Sequence, residues 1–173
     1  MTVTFPPGIE SAGTGSVFLA PVVADPNSPK LAEFTGSTAV NLSCQIYGFE
    51  TTSEQGKVES KRYCLAEAIE SFGKLKNGIA DIEVVYDPQN PDSVTYAGYK
   101  ALKTPGLRWA LFDRRGLPSR DPLAVGHVGD LFEAVEFGTP RRAPITNTEG
   151  EEHRTIFSVA VKGQLFRDVK IVA

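Results

Sequence analysis

Cysteine and histidine are scarce in this chain, with two of each. Cys44 and Cys64 stand twenty residues apart outside any C-x-x-C pattern, and His127 and His153 each lack a companion at metal-ligand spacing. A redox pair, a disulfide or part of a metal site stays open, but two cysteines so placed are expected as small buried apolar side chains. A dominant charge of one sign is missing too: the formal net charge of −3 excludes the basic footprint of a nucleic-acid binder. The densest apolar run, "VFLAPVV", is short and holds Pro21, so no membrane helix is predicted. The opening "MTVTFPPGIE" has no basic segment followed by an apolar stretch; no signal peptide is expected, and the protein is expected to be made and kept in cytoplasm.

The motifs of catalysis are equally thin. No serine sits in a G-x-S-x-G elbow. The glycine-rich "GTGS" near Gly13 has no strand before it and no helix after it, so it lacks the context of a phosphate cradle. Asp130, Glu133 and Glu136 in "GDLFEAVEF", and Glu151 and Glu152 beside His153, carry the residue types of a metal or acid–base site. Acids in loops and on strand faces are ordinarily solvated, and that is the expectation here. The paired arginines of "DRRG" and "PRRA" either hold a neighbour's carboxylate, meet phosphate, or stand in solvent. No cofactor is expected, and an enzyme is not the preferred reading.

What the chain does have is turn chemistry and alternation. An apolar share of 41% with 16 glycines and 12 prolines indicates one folded domain rich in turns, spanning 1–173. After an arm over residues 1–15, "SVFLAPVV" reads as a strand and "ADPNSP" as a turn. "TAVNLSCQIY" alternates, with Val40, Leu42, Cys44 and Ile46 on one face. Residues 48–61 are polar apart from Phe49 and Val58, which fits a solvated loop or an extended hairpin buried against a partner. "RYCLAE" reads as a strand, and "SFGKLKNG" as turn-like, with Asn77-Gly78 a hairpin signal. In "IADIEVVYD", Ile82, Val84 and Tyr86 share one face, Asp81, Glu83 and Val85 the other.

One helix is predicted next, capped by Asn90 with Pro91 in its first turn and stopped at Pro105-Gly106. About three turns fit, roughly 18–20 Å. Burial of its stripe, Val94, Ala97, Ala101 and Leu102, would contribute on the order of 5 kcal/mol. "LRWALFDRRG" and "HVGDLFEAVEFG" read as strands, the second with apolar groups on both faces, and "TPRRAPITNTEGEEHR" as a long polar connection. In "TIFSVAVKGQLFRDVKIVA", Phe157, Val159, Val161 and Leu165 alternate with polar or small residues, and a last short strand is expected over Val169–Val172. Seven or eight strands with one helix after the fourth or fifth predict a mostly β protein: an antiparallel β-sandwich with one flanking α-helix, extended loops and an N-terminal arm.

Taken in order, "GSVFLAPV", "LAEFTGSTAVNLSCQIYGFETT", "RYCLAE", "IEVVYDPQNP", the helix "YAGYKALK", "GLRWALFDRRG", "GHVGDLFEAVEFG" and "TIFSVAVKGQLFRDVKIV" resemble the major tail tube protein of long-tailed bacteriophages, in the form typical of actinobacterial viruses. The resemblance covers nearly the whole chain from Gly13 onward and lies in the order of the pieces. It implies a virion protein, assembled in the host cytoplasm, whose copies close into hexameric rings that stack into a tube. It further implies an inner β-barrel around a bore that passes double-stranded genomic DNA without specific binding. Its partners would be copies of itself and other tail proteins such as the tape measure and the tail terminator. On this reading Asp81, Glu83, Asp130, Glu133 and Glu136 are candidate lumen-facing acids. Residues 48–61 become an inter-subunit loop, with Phe49, Glu50, Glu54, Lys57, Glu59, Arg141 and Arg142 as contact candidates. The competing readings are another ring-forming virion protein, such as a tail terminator or head–tail joining protein, and a monomeric sandwich module. The module would need a cleft lined by Trp109 or the five tyrosines, which scatter as core residues do.

Overall fold

The computed structural model describes residues 8–60, 69–145 and 149–173. In chain order its elements are β1 (Gly15–Ala20), α1 (Leu31–Thr35), β2 (Val40–Asn41), β3 (Thr51–Ser60), β4 (Ile69–Ile79), β5 (Ile82–Val85), a 3-10 turn (Val94–Tyr96), α2 (Ala97–Leu102), β6 (Arg108–Arg115), β7 (Val128–Phe137), β8 (Arg141–Arg142), β9 (Arg154–Phe157), β10 (Val159–Val161) and β11 (Leu165–Lys170). All strand pairings are antiparallel. One sheet runs β10-β7-β6-β1-β2, with β11 also on β7; a second runs β5-β9-β8; among the described residues β3 and β4 pair only with each other.

The apolar runs of β1 and β6 follow from a sheet covered on both faces. Val17, Leu19, Leu111, Phe132, Val135 and Phe137 point inward and meet Ile82, Val84 and Phe157 of the smaller sheet. Phe18, Ala20, Ala110, Phe112 and Leu131 point the other way, under Phe34 of α1, Leu123, Val169 and Ile171. The imperfect alternation of β7 has two causes. Both faces of its first half are covered, and the register against β6 slips between Trp109/Val135 and Leu111/Phe132, inserting a bulge in β7. Gly129 lies so close to β6 that a Cβ there would sit 2.4 Å from the Asp113 carbonyl oxygen. The expected alternation of β5 and of the last segment is present: Ile82, Val84 and Tyr86 are buried, and Phe157, Val159, Val161 and Leu165 reach one core. That alternation survives while the chain crosses from the small sheet to the large one at Ser158, because both sheets face the same interior.

Several expectations are corrected. The strand over 38–47 stops at Asn41, whose Oδ1 accepts from the Ser43 backbone N–H at 2.9 Å and turns the chain. Leu42 is therefore buried while Cys44 is exposed. Asn77 and Gly78 make no turn; they lie inside β4 opposite Ser53 and Thr52. Asn77 Oδ1 accepts from Ser53 Oγ at 2.7 Å, and a Cβ at position 78 would meet Thr52 Oγ1 at 2.7 Å, so close cross-strand approach is the reason for glycine. Of the two readings of the polar span, the extended hairpin fits residues 48–60, which are the lead-in and first strand of that ribbon; residue 61 lies outside the described residues. The strand expected over "RYCLAE", with Cys64, lies outside the described residues.

The helix is shorter than expected. Ser93, not Asn90, caps the 3-10 turn, accepting from Thr95 N at 3.2 Å, and α2 has six residues. Leu102 is buried, but Val94 is 81% exposed, which lowers the stripe's contribution to about 2–3 kcal/mol. Gln45 Oε1 accepts from Gly98 N at 2.7 Å, and Tyr99 stacks on Tyr86 with centroids 4.7 Å apart. Helix α1 was not expected. Its single turn is held by Glu33, which accepts from Lys30 N and Ala24 N, both at 2.8 Å.

Near its end β6 carries two polar residues that are buried on opposite faces. Arg114 is fully buried; its Nη2 donates to Ser16 Oγ (2.8 Å) and to the carbonyls of Pro118 (2.8 Å) and Asp121 (3.0 Å), and its Nη1 to the Pro122 carbonyl (3.2 Å). The β6–β7 connection is thus wrapped around one guanidinium, which also lies over the Phe18 ring at 5.6 Å. His127 Nδ1 accepts from Ala124 N and faces Arg114 Nη1, both at 3.2 Å. On the other face, burial pushes the Asp113 carboxyl above the usual carboxylate range, against the opposing pull of Arg115, which donates to it at 2.8 Å.

Replacing Arg114 by Met removes the donor and orphans one hydroxyl and three carbonyls, so a loss of about 3 kcal/mol or more is expected. Thermal melting followed by circular dichroism should drop by about 6–12 °C; an unchanged melting temperature would show that the loop is held by other means. For Asp113 the sign is the reverse of a stabilising carboxylate: a folded-state value above the unfolded one means stability falls as pH rises from about 4, the ordinary carboxylate value. Asp113→Asn should therefore gain on the wild type as pH climbs from about 4 toward neutrality. Melts taken across that range would contradict this if the gap stayed constant.

Candidate assembly interface

Among the described residues the β3–β4 ribbon joins neither sheet of the sandwich. Strands of ten and eleven residues extend about 33 Å. A two-stranded ribbon with no further pairing is marginal in water, so this one gains from a surface outside its own sheet. Its root is secured: Ile79 enters the core, Ala80 N donates to the Glu50 carbonyl at 3.0 Å, and Arg167 bridges Ser53 Oγ (2.9 Å) to Asp130 (3.1 Å). Beyond the root the ribbon holds exposed Val58, Ile69, Phe72 and Leu75, with Phe72 at 73%. Phe72 pairs in register with Lys57, and Leu75 with Gln55; with Ile79 opposite Thr51, these residues share the ribbon face that begins in the core.

At the ribbon's root lies an open cleft of about 800 Å³, between the segment 9–16, the segment 43–49 and the end of β6. Ile9, Val17, Ile46 and Phe49 give it apolar walls, and the Asp113–Arg115 pair gives it charge. Of the tyrosines only Tyr47 reaches it; Tyr86 and Tyr99 belong to the core, and Tyr63 lies outside the described residues. Arg154 lies over the Tyr47 ring at 4.8 Å, and Glu152, accepting from the Tyr47 hydroxyl, raises its proton affinity.

The five candidate acids do not converge. Asp81 and Glu83 belong to the small-sheet side, where Asp81 pairs with Arg141, and Glu83 with Arg154 at 2.8 Å. Asp130, Glu133 and Glu136 lie on β7 in the large sheet. Asp130 pairs with Arg167 and accepts from Asp168 N at 3.1 Å, Glu133 accepts from Gln164 N at 3.2 Å, and Glu136 stands 3.8 Å from Lys162. The contact candidates divide likewise. Glu54, Lys57 and Glu59 are on β3, Phe49 and Glu50 at its root, and Arg141 and Arg142 form the exposed edge strand β8 of the small sheet. Ion pairs as exposed as Lys57–Glu70 (3.0 Å) add little stability.

Sequence reading missed Phe72, Leu75 and the Asp113–Arg115 wall. Phe72 and Leu75 share a face although they are three apart, because the register shift near Gly73 adds a residue to β4 and breaks the two-residue period. Asp113 sat inside an apolar run with no sign that it would be buried beside a cleft. Among the described residues no group of three or more His, Cys, Asp or Glu is placed to hold a metal ion. Nor is any helix among them long and apolar enough to cross a membrane.

Comparison with solved structures finds a likeness to the crystal structure of Hcp1 from Salmonella typhimurium, at 13% identity over 91% of this chain and 99% of that one, with a TM-score of 0.34. A likeness so slight carries no argument. Among curated proteins there is no match. The family model of the phage tail tube protein, by contrast, matches residues 3–173. With nearly its whole length matched, the chain belongs to the phage tail tube protein family.

Proposed function

We propose that copies of this chain close into hexameric rings and that the rings stack into the tail tube of a long-tailed phage, the conduit for genome delivery. The observation that carries the reading is the β3–β4 ribbon, two long strands that among the described residues pair only with each other and hold four exposed apolar side chains. Beyond the root, a neighbouring copy would bury what the described residues of one copy leave exposed. The large sheet supports the same reading. Besides the two-residue edge strand β2, it offers four longer rungs (β1, β6, β7, and β10 with β11 sharing one place), so six copies give about two dozen strands, too wide a barrel for side chains to fill. Head-to-tail contacts that close make the ring, and those that do not close make the tube. The tape measure and tail terminator would be further partners, and the virion its location.

The bore is assigned to the uncovered end of the large sheet's outer face. Arg108, Glu136 and Ala160 lie side by side there, opposite in direction to Trp109, Val135 and Val161. With Glu133 and Lys162 this surface mixes both signs, which suits a duplex that must slide, because a basic lining would trade counterions for phosphates and grip it. Of the five candidate acids, Glu133 and Glu136 fit this role best. Asp130 is committed to Arg167, and Asp81 and Glu83 to arginines of the small sheet.

Excising residues 54–76 and closing the ribbon with an Asn-Gly turn keeps the Ser53–Asn77 pair and should leave melting nearly unchanged while abolishing tubes. Sedimentation and negative-stain micrographs decide; tubes of normal length from the shortened chain would end the ribbon's role. Changing Glu133 and Glu136 together to Lys should preserve assembly and slow genome release from purified particles, more so at low salt. Release at the wild-type rate would remove both residues from the bore.

A further inference from the structure

We propose that the cleft at the ribbon's root receives the Phe72 face of the ribbon of a second copy of this chain. The inference rests on the self-assembly reading above and names the receiving surface. The chain's own ribbon cannot fill the cleft: Phe49 lines it, whereas Phe72 sits opposite Lys57, about 26 Å further out along an extended strand. On the self-assembly reading the occupant is a neighbouring copy, and the chemistry of the two surfaces favours its ribbon.

The two surfaces match in chemistry. The ribbon presents Phe72 and Leu75, flanked by the Lys57–Glu70 pair. The cleft presents Ile9, Val17, Ile46 and Phe49, flanked by the Asp113–Arg115 pair, with Glu10 also in its wall. Docking sets Glu70 toward Arg115 and Lys57 toward Glu10 and Asp113, while Phe72 leaves water among apolar walls. One ribbon face, roughly 33 Å by 10 Å, is well below the ~800 Å² per partner of a stable complex. The contact is thus too small to hold a dimer and adds up only when each copy both gives a ribbon and takes one. Because donor and acceptor are different patches, the contact is head-to-tail and propagates.

The test places a benzophenone amino acid at position 72 in the full chain, mixes isotopically heavy and light protein, allows assembly, and maps the photo-crosslinks by mass spectrometry. Heavy–light crosslinks to residues 9–17, 43–49 or 113–116 are expected. Tubes whose crosslinks fall elsewhere would overturn the docking while leaving self-assembly standing. Wild-type protein that never polymerises would overturn the functional reading and the docking with it. Should the labelled chain fail to assemble, hydrogen exchange on unaltered protein decides: assembly should protect both the cleft segments and β4. Cleft amides already protected to the same degree before assembly would mean that a neighbour does not fill it, and would overturn the proposal. Phe72→Asp should raise the concentration needed for polymerisation about tenfold or more, with melting of the unassembled protein unchanged.

Discussion

The structure depends on a single constraint: the strands β1 and β6 are apolar on both sides, so the sheet they form must be covered twice. One cover is the small sheet β5-β9-β8, which turns the inner face into a sandwich core. The other is assembled from pieces: the single turn of α1, the β6–β7 connection through Leu123, and the C-terminal residues Val169 and Ile171. Arg114 holds the second cover in place, because a buried guanidinium must find acceptors and takes them from the carbonyls of the loop itself. Covering both faces takes the buried apolar side chains of the two core clusters. The β3–β4 ribbon is left with polar residues and a few exposed apolar ones.

That division separates folding from assembly. The body pairs several of its acids with its own arginines: Asp81 with Arg141, Glu83 with Arg154, Asp130 with Arg167. The ribbon is satisfied only in its hydrogen bonds, not in its burial. On the proposed reading, such a subunit polymerises when neighbours supply the missing surface, because the apolar contact counts only once water is excluded from it.

Much of the fold could be read directly where side-chain period and burial coincide. The runs of β1 and β6, the alternation of β5 and the shared inward face from Phe157 to Leu165 were all legible. The single turn of α1 was not, since five residues with one buried side chain, Phe34, carry no detectable period. The helix after Tyr86 was overextended, because a capping residue and a proline signal where a helix can start, not where packing makes it worth forming. Asn77-Gly78 misled for a related reason: the same two residues serve a tight turn and a close approach between long strands.

The candidate site was legible only in part. The polar stretch 48–61 stood out as unable to join a core, but its partner strand was hidden by a bulge, and the cleft beside it is made by three segments distant from one another in sequence. Local pattern by itself determined that this would be a mostly β chain with alternating strands and one polar excursion, because those properties depend on neighbours two to four residues away. Only the tertiary structure decided which strands pair, which acids meet which arginines, and that the excursion is a two-stranded arm rooted beside an open cleft. Those outcomes depend on contacts between distant segments, which no local period records.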